Sequence, residues 1–128
     1  MKLLLDTYAL LWWWLDYPKL SAKARRAIAN ESNEIFASSV SAWEIAAKHR
    51  LGKLGLPALT LQRYESLLAV DGIMHLAITT GHASLAGSYT QPHPDPFDRM
   101  LAAQAEIEGL TIVSHDAALA HFSARLLW

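Results

Sequence analysis

Three leucines follow Lys2 near the start of the chain, and Asp6 stops the run. A short, continuous apolar stretch closed by a charge reads as a strand buried on both faces. Similar runs recur at 34–39 (EIFASS), 73–78 (IMHLAI) and 111–115 (TIVSH), with ARLLW at 124–128 as a candidate fifth. Between them the apolar period lengthens to that of a helix. The pattern predicts one from Thr7 to Leu15, ended by Asp16 and Pro18. A second, over 22–30, is capped by Ser21 and sets Ala24, Ala27 and Ile28 against Lys23, Arg25 and Arg26. Further helices are predicted from Ser41 to Arg50, and from Leu61 to Val70 with Thr60 as cap. Others run from Thr79 or Thr80 to Gly87, and from Pro96 to Glu108 before Gly109. A short helix from Asp116 to His121 completes the set, and no repeat or low-complexity segment interrupts it.

Strands that alternate with helices build a parallel sheet covered on both faces. The expectation is an α/β fold, a three-layer α/β/α sandwich of four to five strands, with residues 1–128 as a single domain. The 128 residues suffice for a core without a staple, and the absence of cysteine excludes disulfides and thiolate zinc sites. The start MKLLL imitates a signal peptide only until Asp6, and the next apolar run, Tyr8 to Leu15, is far too short to span a membrane. A soluble, cytoplasmic protein is expected. The net charge of −1 argues against a broadly basic nucleic-acid surface. With four of the twelve acids committed to a cation, however, eight remain against eleven Lys and Arg, and the rest of the surface turns mildly positive.

In open α/β sheets ligands bind beyond the carboxyl ends of the strands. Asp6 follows the first strand directly, Glu44 lies one turn into the helix after the second, and Asp116 follows the fourth. Asp98 joins this rim if the helix opening at Pro96 starts there. Four carboxylates at one edge repel unless cations neutralise them, and an all-oxygen donor set suits Mg²⁺ or Mn²⁺. Each acid also has a purely local explanation. Asp6, Asp95 and Asp116 are suitable N-caps, Ser41 and Glu44 have capping-box spacing, and Asp98 complements a helix dipole. Local roles do not predict that all four meet at one end of the sheet.

The segments LLLDTYALLWW, SSVSAWEIAAKHRLGKL, HPDPFDRMLAAQA and TIVSHDAAL, in this order, resemble the motif blocks of PIN-domain ribonucleases of type II toxin–antitoxin modules, the VapC-like toxins. The resemblance spans nearly the whole chain. It implies that Asp6, Glu44, Asp98 and Asp116 are catalytic metal ligands, with Ser114, Asp95 and Thr7 in support. It also implies RNA cleavage by a water activated on carboxylate-bound Mg²⁺ or Mn²⁺, with no histidine needed as base. A cognate antitoxin and a homodimer follow from the same resemblance. Arg99, Lys48 and Arg50 are candidate contacts to the RNA backbone, although each also reads as a solvated helix charge. His115, beside Asp116, reads as a rim residue.

Other chemistries find no support. No H-E-x-x-H, P-loop or G-x-S-x-G motif is present. Two alternatives stay open: a fold of this type that only binds, and a DNA nuclease or RNA-processing enzyme without an antitoxin. Trp12, Trp13 and Trp14 raise a separate question. Successive helical residues point ~100° apart, so three indoles fan over roughly 200°. At least one is expected to face outward and line an antitoxin groove, with Trp43 a lesser contributor.

Overall fold

The computed structural model describes residues 1–54 and 59–128, with only the backbone of Leu59 and Thr60. Five strands form one parallel sheet: β1 (Lys2–Leu5), β2 (Glu34–Ser38), β3 (Met74–Leu76), β4 (Thr111–Val113) and β5 (Arg125–Leu127). Their spatial order is β3-β2-β1-β4-β5. Leu3 lies opposite Ile35 on one side and Thr111 on the other, so β1 is central. The chain winds outward from β1 to β3, then returns to lay β4 on the other side of β1. The reversal between β1 and β4 is where α/β sheets open a crevice.

The leucines of β1 serve both faces because strand side chains alternate. Leu3 and Leu5 pack with Leu10, Ile28, Ile45 and Leu68, whereas Leu4 packs with Leu101, Ile112 and Leu119. Helices α1 (Thr7–Trp14), α2 (Ala22–Ala29) and α5 (Tyr64–Val70) cover the first face. Helix α7 (Pro96–Glu108) and a 3₁₀ turn (Ala117–His121) cover the second, and α6 (Thr80–Ser88) packs on α7. Helices α3 (Ser39–Arg50) and α4 (Leu59–Gln62) complete the three-layer α/β/α sandwich. Among the described residues no helix is long and apolar enough to cross a membrane.

Helix α7 follows its local signals closely. Asp95 accepts from the amides of Phe97 and Asp98 at 2.9 and 3.3 Å, Pro96 needs no amide partner at the first position, and Gly109 closes the helix at φ 67°. Helix α3 departs from expectation. Ser38 caps it, accepting from the Val40 amide at 3.0 Å, so it starts at Ser39 rather than Ser41. The predicted Ser41–Glu44 capping box therefore does not form: Ser41 is buried inside the helix and accepts from the Thr7 hydroxyl at 3.0 Å. The single helix expected over 61–70 is split into α4 and α5 by Arg63, whose ψ of 9° breaks the turn. The predicted Thr60 cap falls on a side chain outside the described residues. Strands β3 and β4 are shorter than their apolar runs, so Ser114 and His115 have already left the sheet.

Candidate active site

The Asp6 amide donates to the Val113 carbonyl at 3.1 Å, continuing the β1–β4 ladder one residue beyond the strand. Its carboxylate accepts from the Ala9 amide at 2.7 Å, which caps α1 and holds the group at the sheet edge. Across the crevice, the Ser114 amide donates to the Leu127 carbonyl at 3.2 Å. The Ser114 hydroxyl accepts from the Asp116 amide at 3.0 Å, and the Asp116 carboxylate accepts from the Ala118 amide at 2.9 Å. Glu44 arrives from α3 and is buried, bonded to the ammonium of Lys48 one turn further on. Lys48 also donates to the Tyr8 hydroxyl at 3.1 Å. Asp98, in the first turn of α7, meets Nε2 of His93 at 2.9 Å. A cleft of about 100 Å³ joins these groups: Asp6, Glu44, Asp95, Asp98 and Asp116, with Lys48, Thr7 and Tyr8.

Five carboxylates around one lysine leave negative charge uncompensated. Burial pushes the Asp6 carboxyl up to about 6, with Glu44 and Asp116 adding to the rise against the opposing hydrogen bonds from Ser114 and Ala9. Asp98 rises to about 7, again mainly through burial, helped by Asp95 and Asp116 and opposed by His93. A divalent cation would relieve both. Carboxylate oxygens suit Mg²⁺ or Mn²⁺; among the described residues single ligand atoms of His93, Asp98 and Asp116 lie within 4.8 Å of one another, while Asp6 and Glu44 line the same cleft outside that group. Glu44, whose capping role is removed by the early start of α3, has no structural reason to be an acid apart from its pairing with Lys48.

The remaining candidates are placed unequally. Thr7 and Asp95 line the cleft. Lys48 lies inside it and is already paired, while Arg50 is exposed at the end of α3. Arg99 is turned away to another task. Its guanidinium donates to the carbonyls of Ala86, Tyr89, Gln91 and His93 at 3.1, 2.6, 2.9 and 3.2 Å. It clamps the loop before α7, and this placement does not support the expected contact with RNA. His115 is exposed, its ring 5.5 Å from that of Trp128. Sequence reasoning missed Tyr8 and His93. The signal for His93 was the segment Pro92-His93-Pro94, whose prolines hold a histidine in extended backbone just ahead of Asp98.

The three tryptophans are half-buried and packed within the chain rather than freely exposed. Trp12 packs on Trp128 with ring centroids 5.8 Å apart, Trp13 donates to Asp71 at 3.1 Å, and Trp14 meets Tyr64 edge-on at 5.7 Å. The exposed indole is Trp43, 56% accessible, lying 4.7 Å from the ring of Phe97. It flanks Glu44 in sequence as Phe97 flanks Asp98, so this aromatic pair sits where α3 and α7 bring their acids together.

Comparison with solved structures finds the same fold in several complexes. VapBC2 from Rickettsia felis, bound to a DNA fragment from its promoter, matches with TM-score 0.72 and 14% identity over 99% of this chain and 98% of that one. A toxin–antitoxin complex from Klebsiella pneumoniae matches with TM-score 0.64 and 15% identity over 98% and 95%. FitAcB from Neisseria gonorrhoeae matches with TM-score 0.62 and 18% identity over 98% and 96%. Comparison with curated protein sequences gives no match. The family model of the PIN domain matches residues 3–124, a span that takes in β1 from Leu3, all of β2, β3 and β4, and all the acids of the cleft. The chain therefore belongs to the PIN-domain family.

Proposed function

We propose that the protein is a divalent-metal-dependent endoribonuclease and the toxin component of a type II toxin–antitoxin module, acting in the cytoplasm. The observation that carries this reading is the cleft at the strand-order reversal, where five carboxylates face Lys48 and burial, aided by the neighbouring acids, raises Asp6 and Asp98 well above the usual carboxylate range. Asp6, Glu44, Asp98 and Asp116 would hold Mg²⁺ or Mn²⁺. When bound, such an ion lowers the pKa of water and offsets charge on a phosphate oxygen. The protein's own part is to present the ligands. The Ala9 amide fixes Asp6, the Ala118 amide fixes Asp116, and Ser114 ties the Asp116 turn to the edge of β4. Lys48 and Arg50 would grip the RNA backbone, which gives affinity without sequence choice.

Cleavage of a labelled RNA in Mn²⁺ should stop on adding EDTA and return with excess Mn²⁺. Undiminished cutting in EDTA would remove the mechanism, and equal cutting of single-stranded DNA would remove the RNA assignment.

The antitoxin assignment is supported by the toxin–antitoxin complexes that share the fold, and a homodimer is proposed from the family resemblance alone. An antitoxin segment seated on Trp43 and Phe97 would lie at the mouth of the cleft and block it. Trp43→Ala is expected to weaken antitoxin binding by more than ~2 kcal/mol, because exposed Trp is a common interface anchor. Its melting temperature should stay near that of wild type. Unchanged affinity in a titration would move the partner elsewhere.

A further inference from the structure

Beside the acidic cleft lies a second cavity of about 230 Å³, lined by Gln91, Pro92, His93, Ala118 and His121. It shares a wall with the cleft. His93 lines it while its Nε2 meets Asp98 at 2.9 Å, and Ala118 lines it while its amide donates to Asp116 at 2.9 Å. A group in this cavity is thus one residue away from two of the proposed metal ligands. We infer that the cavity receives a nucleobase of single-stranded RNA next to the cleaved phosphate, and that Gln91 and His121 help select it. The inference rests on the nuclease reading above and adds the feature of RNA that the enzyme reads.

Three observations support this occupant. The volume lies below the range of pockets that hold drug-sized ligands, which suits one planar ring system. The lining offers two imidazoles, a proline and a methyl group, with one amide: flat, apolar surface plus a hydrogen-bonding edge. Proteins recognise splayed-out RNA bases with this combination. The cavity is also preformed. Arg99 holds the backbone of Gln91 and His93 through their carbonyls, and the Gln91 side-chain amide donates to the His121 carbonyl at 3.3 Å, joining the two sides. Behind it, the His93 ring meets Phe122 at 5.8 Å and Phe122 meets Tyr89 at 4.8 Å. A rigid receptor loses little entropy when a base enters. The loop clamped by Arg99 thereby gains a purpose that packing alone does not supply.

The test uses the full chain in Mn²⁺. Wild type first maps its cut sites in a random-sequence RNA pool, and an abasic ribose then replaces each nucleotide flanking a mapped cut. A bias at one adjoining nucleotide is expected, and the abasic change there should lower kcat/KM about tenfold, the scale of one lost base–ring stack. His121→Ala, an exposed substitution checked by thermal melting, should flatten the bias, act mainly on KM and become insensitive to the abasic change. Ala118→Leu, which fills the cavity, should do the same. An unbiased wild type, or a bias that both variants retain, overturns the base pocket while leaving the nuclease intact. Wild type that cuts no RNA overturns the nuclease reading and this inference with it.

Discussion

Asp6→Asn is expected to lower RNA cleavage on the order of 10³-fold, equivalent to about 4 kcal/mol of transition-state stabilisation, while leaving the metal-free fold at least as stable as wild type. The two effects have separate origins. The Asn side-chain oxygen can still accept from the Ala9 amide, now at 2.7 Å, so the cap of α1 survives. What disappears is a negative charge that burial, Glu44 and Asp116 all disfavour. Removing it relieves the cleft in the absence of metal and deprives a cation of a ligand in its presence. Single-turnover cleavage in Mn²⁺ and melting in EDTA give the two readouts. A variant that cuts at the wild-type rate would remove Asp6 from the chemistry. One that melts well below wild type would show that the charge serves the fold.

The second large effect is a pH dependence that metal reverses. The carboxyls of Asp6 and Asp98 sit at about 6 and about 7 in the folded chain, against 3.8 for an unperturbed Asp. Below the unfolded value both states are protonated, and the stability linked to these groups is fully present. As pH rises through the folded values the native state must release protons that the unfolded state has already lost. Stability then falls, on the order of 3 kcal/mol for Asp6 alone. In EDTA the unfolding free energy should drop between about pH 4 and pH 7. Mn²⁺ should restore it, and more at about pH 8 than at about pH 5, because binding has to displace those protons. Cleavage should rise over the same interval. Denaturant titrations that are flat with pH in EDTA and indifferent to Mn²⁺ would contradict the cation assignment.

Elements with strong local signals were legible in the sequence. The run from Lys2 to Leu5 stops at Asp6, which caps α1 and turns the chain out of the sheet, and α7 carries its own start and stop in Asp95, Pro96 and Gly109. The gathering of acids at one rim was legible too, since it follows from where each falls relative to a strand end. Features decided by distant partners were not. Ser38, Ser39 and Ser41 are all plausible caps, and only the turn out of β2 selects Ser38. The three tryptophans look unpartnered in sequence, yet Trp128, Asp71 and Tyr64 reach them from far along the chain. Arg99 beside Asp98 suggests a cation for RNA, and only the loop folded over it reveals four waiting carbonyls.

The Asp116 turn hangs on β4, which is itself held in place by β1 and β5, and the Ser114 amide is anchored to Leu127. Asp6, by contrast, follows β1, so translation delivers it before β4 and β5. A growing polypeptide can therefore finish half of its sheet and still lack the opposite jaw of the cleft. Domains generally fold as units, so a chain translated only as far as β3 would lack an assembled cleft. The cleft would be completed late, in the step that seats β4 between β1 and β5.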